Sequence, residues 1–544
     1  MEDNGSSHEP NNNFKWPLFI FFKGARHIFK LDALSRELLG IAFPSALAVA
    51  ADPIASLIDT AFIGHLGPVE LAAAGVSIAL FNQASRITIF PLVSITTSFV
   101  AEEDTLEKLN NKFKFKEVIV PEDHMLQDIQ KDTLKEKPMV EKCESKDLQA
   151  LQNYNATRDN DPEIGDEGNK NICKSSKSRE KVEKKKRRIA SASTALLFGT
   201  ILGLIQTSVL IFAAKPLLRV MGVKPDSPML NPAEKYLKLR SVGAPAVLLS
   251  LAMQGIFRGF KDTKTPLYVI VSGYTFNVIL DPILIFTLKL GLKGAAISHV
   301  LSQYMMAITL LLILMKKVHL LPPSIKDLQI FRFLKNGGLL MVRVIAVTFC
   351  VTLAASLAAR LGSVPMAAFQ TCLQVWLTSS LLADGLAVAV QAILACSFAE
   401  KDHKKATAAA TKTLQMSFVL GMGLSLAVGL GLYFGAGVFS KNVHVVHFIK
   451  ISIPFVAATQ PINSLAFVFD GVNYGASDFA YSAYSLVVVS LVSVAIEFVL
   501  YRAKHFIGIW IALTIYMTLR MLAGVWRMGT GTGPWHYLRG CSLS

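Results

Sequence analysis

The stretch Leu66-Gly67-Pro68-Val69-Glu70-Leu71-Ala72-Ala73 occurs a second time, with substitutions, as Leu361-Gly362-Ser363-Val364-Pro365-Met366-Ala367-Ala368, which is 295 positions later. A second pair, Phe257-Arg258-Gly259 and Phe469-Asp470-Gly471, is only 212 positions apart. The first half of the chain therefore contains extra sequence, and a highly charged stretch over 102–189 has a suitable length and place. Without this insert, the chain is predicted to be two similar halves joined near residue 330, an organisation typical of membrane transporters.

Apolar residues make up 52% of the 544 residues, and they are arranged in long blocks. Each block is long enough to cross a hydrocarbon layer of about 30 Å as a helix. We predict an all-α integral membrane protein with twelve transmembrane helices in two pseudo-symmetric six-helix lobes. The predicted helices are 37–62, 69–100, 190–217, 233–257, 265–288, 291–316, 332–360, 364–398, 405–437, 446–470, 479–501 and 505–528.

These helices divide the chain into seven predicted segments. They are a cytoplasmic amino-terminal segment (1–36), helices 1 and 2 (37–101), a charged and largely disordered cytoplasmic loop (102–189), helices 3–6 (190–317), an inter-lobe linker (318–331), the second lobe (332–528) and a cytoplasmic tail (529–544).

The distribution of lysine and arginine predicts the orientation of the chain. Basic residues are frequent before helix 1 and in the connections over 258–264 and 401–412, whereas His65 to Glu70 contains none. Both termini and the insert should therefore be cytoplasmic. Because the first residues include Glu2, Asp3 and Glu9, no cleavable signal is expected.

The insert is either a solvated linker or a regulatory segment. Its high charge and few aromatic residues favour disorder. Ser175, Ser176 and Ser178 lie among lysines, and Arg187-Arg188-Ile189-Ala190-Ser191 resembles a site for a basophilic kinase. Phosphorylation of these four serines would weaken contact between the basic end of the insert and anionic membrane lipid.

Among the acids within predicted membrane helices, Asp59 and Asp281 are the candidates for a functional role, since an ionisable residue near the middle of the bilayer costs about 2.5–3.5 kcal/mol to insert. Asp59 is late in helix 1, and Asp281 is deep in helix 5, one turn after Asn277 and directly before Pro282. Asn277 can therefore hydrogen-bond Asp281, and the proline favours a bend. Buried carboxyls are typical proton carriers, although either acid could instead cap a helix or pair with an arginine. The offset of 295 pairs Asp59 with Ala354, and the offset of 212 pairs Asp281 with approximately Ser493. Neither acid is therefore predicted to have an acidic counterpart in the second half.

Two arginines lie near the centre of predicted helices, Arg343 in helix 7 and Arg86 in helix 2. Guanidinium groups bind carboxylates through paired hydrogen bonds, so both are candidate contacts for an anionic substrate. The alternative is a structural ion pair with a buried acid, for which the candidates are Asp52, Asp59 and Asp384.

Other classes of function find little support. No GxxxxGK[ST] motif indicates ATP-driven transport, and the six cysteines are scattered without a CxxC pair. His444 and His447 have a spacing that a metal could use, but no third ligand is nearby. We expect no cofactor, no resident metal and no nucleic-acid partner. An enzyme would need clustered catalytic groups, and a scaffold built around the insert would not need the intramembrane acids.

Three motifs together resemble the multidrug and toxic compound extrusion (MATE) family: Asp59-Thr60-Ala61-Phe62-Ile63-Gly64-His65-Leu66-Gly67, Arg258-Gly259-Phe260-Lys261-Asp262-Thr263-Lys264, and Asn277 to Pro282. The resemblance implies two lobes that face each other around a central cavity, with export of substrate in exchange for protons or sodium. It also implies a cation site at Asp59, Asn277 and Asp281, with Gln254 at the position of a further family asparagine.

Within this family, the chain resembles the plant citrate-efflux branch. The similar features are the long insert, the sequence from Phe90 to Glu103, and Ala383-Asp384-Gly385-Leu386-Ala387-Val388-Ala389 in helix 8. The resemblance implies export of citrate across the plasma membrane, serving aluminium tolerance or iron movement, and adds Asp384 to the substrate-binding candidates Arg343 and Arg86. The sequence thus favours a proton-coupled citrate exporter, and the alternative is an exporter of organic cations or secondary metabolites.

Overall fold

The computed structural model describes residues 32–119, 187–221, 223, 225–319, 329–439 and 443–539. Most of the predicted insert, including Ser175, Ser176 and Ser178, lies outside these residues. The described residues of the first half form eight α-helices: α1 (Ala33–Gly64), α2 (Pro68–Ile119), α3 (Ala190–Phe212), α4 (Ala214–Val220), α5 (Leu230–Ser241), α6 (Ala244–Gly259), α7 (Lys264–Pro282) and α8 (Leu292–Lys317). A π-helical turn, Ile283–Thr287, follows α7.

The described residues of the second half form six α-helices: α9 (Ile330–Arg360), α10 (Ser363–Ala399), α11 (His403–Phe439), α12 (Val443–Ala458), α13 (Gln460–Gly475) and α14 (Phe479–Gly529). A 3-10 helix, Gly533–Arg539, follows α14. Two short strands, β1 (Arg187–Arg188) and β2 (Val318–His319), pair in parallel.

The helices of the described segments account for twelve membrane crossings. Nine helices are long and apolar enough to span a membrane by length and composition. Two further spans consist of the bent pairs α5–α6 (46°) and α12–α13 (48°). The remaining crossing comes from α14, whose 51 residues contain a break at His505 (φ 49°) and therefore hold two spans. The predicted all-α architecture of twelve transmembrane helices is confirmed.

The two halves are built in the same way. Pro245 and Pro461 each occupy the second position of the later helix in a bent pair, where the missing N–H of proline breaks the continuity of the span. Gly203 on α3 lies so close to Pro245 that a Cβ would be 2.5 Å from its Cα, and Gly421 on α11 lies in the same way against Pro461, at 2.4 Å. Both helix contacts thus require glycine.

These equivalent contacts correct the register of the repeat. A Cβ on Gly294 would lie 2.7 Å from the carbonyl oxygen of Leu284, and one on Gly508 would lie 2.1 Å from that of Leu500. Residues 284 and 500, like the prolines at 245 and 461, are 216 positions apart. The predicted offset of 212 is wrong by four residues, about one helical turn. Shifting the alignment of the two halves by one helical turn keeps the same helix face directed inward. The two registers therefore align apolar and polar residues almost equally well.

The corrected register changes the partners of the membrane acids. Asp281 on α7 corresponds to Glu497 on α14, and Asn277 corresponds to Ser493. The prediction that Asp281 has no acidic counterpart is therefore wrong. The motif Phe257-Arg258-Gly259 corresponds to Asn473-Tyr474-Gly475 rather than to Phe469-Asp470-Gly471.

Helix α2 continues beyond the predicted end of helix 2 to Ile119. Its extension is tied to neighbouring helices, because Glu103 accepts hydrogen bonds from the backbone N–H groups of Ala190 (2.8 Å) and Ser191 (2.9 Å), which open α3. Glu102 pairs with Arg332 of the second lobe at 2.6 Å. Ser191 is fully buried, so a kinase cannot reach this predicted site in the described conformation.

The two lobes meet at the end of the helices where the predicted cytoplasmic basic residues lie, which we call the basic end. Gln391 on α10 donates to the carbonyl oxygen of Ser94 on α2 (2.7 Å), and Ser98 donates to that of Tyr474 (2.8 Å). Lys412 pairs with Asp32 before α1 at 2.6 Å. At the opposite end, each apolar cluster among the described residues contains side chains from one lobe only.

The carboxyl-terminal segment packs against the second lobe. Trp535 is fully buried, and its ring lies 5.4 Å from that of Phe398 at the end of α10. His403 and Tyr537 stack at 4.1 Å. The described part of the predicted tail is therefore docked at the basic end.

Candidate functional site

The structure brings together three of the predicted cation-site residues in the first lobe. Asn277 on α7 donates from Nδ2 to Asp59 Oδ1 on α1 (2.7 Å) and to Asp281 Oδ2 (3.3 Å). All three side chains are buried. The predicted hydrogen bond from Asn277 to Asp281 is confirmed, and the same amide also reaches the second acid.

Two serines on α8, absent from the predicted site, complete the cluster. Ser298 donates to Asp281 Oδ1, and Ser302 donates to Asn277 Oδ1 (3.2 Å). Both serines are fully buried and lie one helical turn apart. Their part in the site depends on the packing of α8 against α7, which the sequence of α8 alone does not reveal.

Pro282 ends the regular part of α7, and the helix continues as the π-helical turn Ile283–Thr287. The bend stays a prediction, and the structure shows a local change of helix type directly after Pro282. π-helical turns are frequent at functional sites, and this one directly follows Asp281.

A buried arginine that the sequence analysis missed lies close to these acids. Arg240 on α5 donates to the hydroxyl of Tyr236 (3.1 Å), and its guanidinium lies 5.4 Å from the centre of the Phe81 ring. Its charge interacts with both Asp59 and Asp281. The first-lobe site thus contains two carboxyls and one guanidinium.

Gln254, the fourth predicted cation-site residue, is buried on α6. Among the described residues, no hydrogen bond joins it to Asp59, Asn277 or Asp281. In the corrected register its counterpart is Asp470, which belongs to a site in the second lobe.

The second-lobe site consists of two arginines that share one acid. Arg343 on α9 pairs with Asp470 on α13 (2.5 Å), and Arg520 on α14 bonds the other carboxylate oxygen. Arg343 also donates to the hydroxyl of Tyr474, one turn after Asp470. Arg343 is therefore in an ion pair, but its partner is Asp470 rather than Asp52, Asp59 or Asp384. Arg520, which the sequence analysis did not select, completes the site.

This second-lobe cluster has one positive charge in excess. The side chains of Arg343 and Arg520 are 8% and 9% exposed, and neither Nε atom has a hydrogen-bond partner among the described residues. Buried unpartnered donors are rare, because each loses its hydration without compensation. The site can therefore accept an anionic group.

The other two substrate-site candidates are placed differently. Asp384 on α10 is partly buried, and its charge interacts with those of Arg258, Asp470 and Arg520 without an ion pair inside 4 Å. Arg86 on α2 is exposed, and no ion pair to it occurs in the described ranges. Asn82 is exposed one turn earlier on the same helix, so that face of α2 carries two polar side chains.

The described residues contain no group of three or more His, Cys, Asp or Glu side chains positioned to hold a metal ion. His444 and His447 accordingly lack a third ligand of these types there. Both lie in the first turns of α12.

Comparison with known proteins identifies the fold and the family. The MatE family model matches residues 182–283 and 340–499. Protein DETOXIFICATION 43 of Arabidopsis thaliana is 61% identical over 528 residues, which is 97% of each chain. The chain belongs to the MATE family. Protein DETOXIFICATION 42 of the same plant is 56% identical over 544 residues, or 99% of each chain.

A solved structure, described as the crystal structure of MATE in the bent conformation, superimposes with a TM-score of 0.71. It shares 16% identity and covers 96% of this chain and 99% of its own. This MATE chain is therefore a multi-pass membrane transporter of the secondary type and not an enzyme. The family membership predicted from the three motifs is confirmed.

Proposed function

We propose that this MATE protein exports citrate, or a closely related organic acid anion, from the cytosol by proton-coupled antiport. The observation that supports an anionic substrate is the excess positive charge of the cluster formed by Arg343, Arg520 and Asp470. An uncompensated charge in a membrane helix bundle is costly, and a bound carboxylate would neutralise it. Planar guanidinium groups are well suited to this task.

An organic cation is the alternative substrate. It would be repelled by the two guanidiniums and would have to compete with them for Asp470. The names of the two Arabidopsis relatives state no substrate, so the choice rests on the charge of the second-lobe site.

The geometry of the first-lobe site favours protons over sodium as the coupling ion. Hard cations need several oxygen atoms whose lone pairs converge on one point. Here, oxygens of Asp59 and Asp281 accept from the amide of Asn277 and the hydroxyl of Ser298, and the oxygen of Asn277 accepts from Ser302. A proton on one carboxyl needs no such coordination shell, and it would leave one carboxylate to balance Arg240.

The membrane and the orientation form a further part of the proposal. We place the chain in the plasma membrane with both termini in the cytosol, following the distribution of lysine and arginine. The contacts between the lobes at the basic end would then close the cytosolic side, and the described conformation would be open outward. Protons from outside would reach Asp59 and Asp281 in this conformation.

The insert is proposed to be a regulatory segment that a basophilic kinase phosphorylates at Ser175, Ser176 or Ser178. Substitution of these three serines by alanine should leave basal transport intact and abolish its response to phosphorylation. Phosphopeptide mass spectrometry of the full chain would detect the modification.

The test is efflux from oocytes injected with radiolabelled citrate, malate or tetraethylammonium. We expect the wild type to release citrate faster than water-injected cells do, and acidification of the bath to raise this rate by several-fold. Asp281→Asn should weaken the response to pH. Replacing external sodium should have no effect. Release of tetraethylammonium without citrate would overturn the proposed substrate, and a sodium-dependent rate without a pH response would overturn the proposed coupling ion.

A further inference from the structure

The second lobe contains a buried acid that plays no part in the sites described above. Glu497 lies on the first half of α14 and is fully buried. In the corrected register it occupies the position of Asp281, because Leu500 and Leu284, each three residues further on, make the same contact with a glycine of the following span, Gly508 and Gly294 respectively. The two lobes therefore place an acid at the same point of the repeat.

The carboxyl group of Glu497 is unsatisfied. Neither Oε1 nor Oε2 has a hydrogen-bond partner among the described residues, and no ion pair reaches either atom. Asp281 differs in this respect, since it accepts from Asn277 and Ser298. A buried ionised carboxylate with no protein donor or counter-charge is among the most costly groups in a protein interior, whereas its protonated form costs far less.

The surroundings of Glu497 offer no charge to balance it. From α9 the titratable group nearby is the thiol of Cys350, which donates to the carbonyl oxygen of Ser490 at 3.6 Å. Ser493 lies one turn before Glu497, is fully buried, and has an unpartnered hydroxyl in the described structure. On the following turn lies Tyr501, in ring contact with His505. Within the described residues, no charged side chain from α9, α12, α13 or the rest of α14 balances this carboxyl.

The position of Glu497 is compatible with exchange of protons with one side of the membrane. It lies eight residues before the break of α14 at His505, about 12 Å along the helix axis at 1.5 Å per residue. This is the end of the second lobe remote from the contact between the lobes, and Arg502 and Lys504 are exposed there. A proton therefore has about two helical turns to cross.

We propose that Glu497 is a second proton-binding site of this transporter, equivalent in the second lobe to Asp281 in the first. In the described conformation Glu497 holds its proton. Loss of the proton requires α9 and α14 to admit water or a donor, so it is tied to a change in the packing of the second lobe. The transporter thus has a proton-dependent element in each lobe.

The first test uses infrared spectroscopy of the purified full chain in lipid nanodiscs, which requires no substrate. The carbonyl stretch of protonated carboxylic acids is compared at neutral pH between wild type and Glu497→Gln. We expect the variant to lose one component of this band. The matched control, Glu400→Gln at the exposed end of α10, should retain the whole band. An unchanged band in Glu497→Gln would overturn the proposal, whatever substrate the protein moves.

A second test separates a proton site from a merely structural residue. Because glutamine resembles the protonated acid, Glu497→Gln should fold with an unchanged melting temperature at neutral pH. Its transport should respond less steeply to external pH than that of the wild type, with the number of protons per substrate reduced by one. A variant that folds normally and keeps the wild-type proton stoichiometry would contradict the assignment.

Discussion

At the scale of single residues, Asn277 is the link between the two acids of the first lobe. Its amide donates to Asp59 and Asp281 at once, so Asn277→Ala removes the shared donor and leaves two buried carboxyls facing each other. The loss of a buried hydrogen bond to a charged group is worth about 1.5–3 kcal/mol. We expect proton-coupled efflux to fall by roughly 10-fold or more.

The control for this variant lies on the same helix. Thr275 is exposed on α7, and its hydroxyl bonds the carbonyl oxygen of Val271 in its own helix. Thr275→Ala should transport at the wild-type rate. Efflux measured in parallel with surface expression checks both variants, and normal efflux by Asn277→Ala would exclude a coupling role for the cluster.

The same residues show what the sequence could and could not reveal. Asn277 and Asp281 are one turn apart on a single helix, so their contact follows from helix geometry alone. Ser298, Arg240 and Arg520 come from other helices, and their approach depends on packing that no local pattern encodes. The acids of the first lobe, Asn277 and Arg343 could therefore be found from the sequence, whereas the partners that other helices supply could not.

At the scale of secondary-structure elements, Asp262, two residues before α7 and outside the membrane-spanning segments, binds the first turn of this helix. It accepts from the backbone N–H (3.1 Å) and the hydroxyl (2.7 Å) of Thr265, and Lys317 at the end of α8 pairs with it. Burial alone would raise the pKa of Asp262, but the hydrogen bonds from Lys317 and Thr265 outweigh it and hold the pKa below its ordinary value of 3.8.

Asp262→Ala should destabilise the protein by about 0.5–2 kcal/mol, which is typical of losing a side chain that binds the first turn of a helix. Because the folded-state pKa is lowered, the charge of Asp262 contributes its full stabilisation above the unfolded value of 3.8. This contribution is lost as the pH falls through the folded-state pKa. Thermal unfolding in detergent should show the wild type and Asp262→Asn converging at acidic pH, and a difference that does not change with pH would contradict the role of the charge.

The repeat shows where element-level reasoning from sequence is weakest. The duplication and all twelve membrane-spanning helices could be predicted, since long apolar blocks separated by charged connections leave few alternatives. The predicted register between the halves was wrong by one helical turn, because Phe-Arg-Gly and Phe-Asp-Gly are similar in sequence but do not occupy equivalent positions of the repeat. The contacts of Gly294 and Gly508, in agreement with those of Gly203 and Gly421, revealed that Asp281 and Glu497 are equivalent.

At the scale of the whole molecule, the contact between the lobes at the basic end must open for substrate to enter from that side. The thiol of Cys396 on α10 lies 3.9 Å from the carbonyl oxygen of Ala101 on α2, directly across this contact. A disulfide requires Cα atoms within about 7 Å of each other. Because the native thiol already contacts the backbone of residue 101, Ala101→Cys should cross-link to Cys396 under mild oxidation.

The cross-link should stop transport, and a reducing agent should restore it. The control carries Cys396→Ser together with Ala101→Cys and should be insensitive to oxidant. Mass spectrometry of the linked peptides would verify the bond. Full transport by the cross-linked protein would show that the two lobes do not separate at this end during the cycle.

The central claim is that a buried, net positive site in the second lobe binds an organic acid anion. The most direct measurement is the initial rate of radiolabelled citrate efflux from oocytes that express wild type or Arg343→Gln at equal surface levels. Thr371→Ala, at a half-buried position on α10 whose hydroxyl bonds within its own helix, serves as the control for expression and folding. We expect Arg343→Gln to lose citrate efflux almost completely while Thr371→Ala retains it. Citrate efflux at the wild-type rate from Arg343→Gln would contradict the claim.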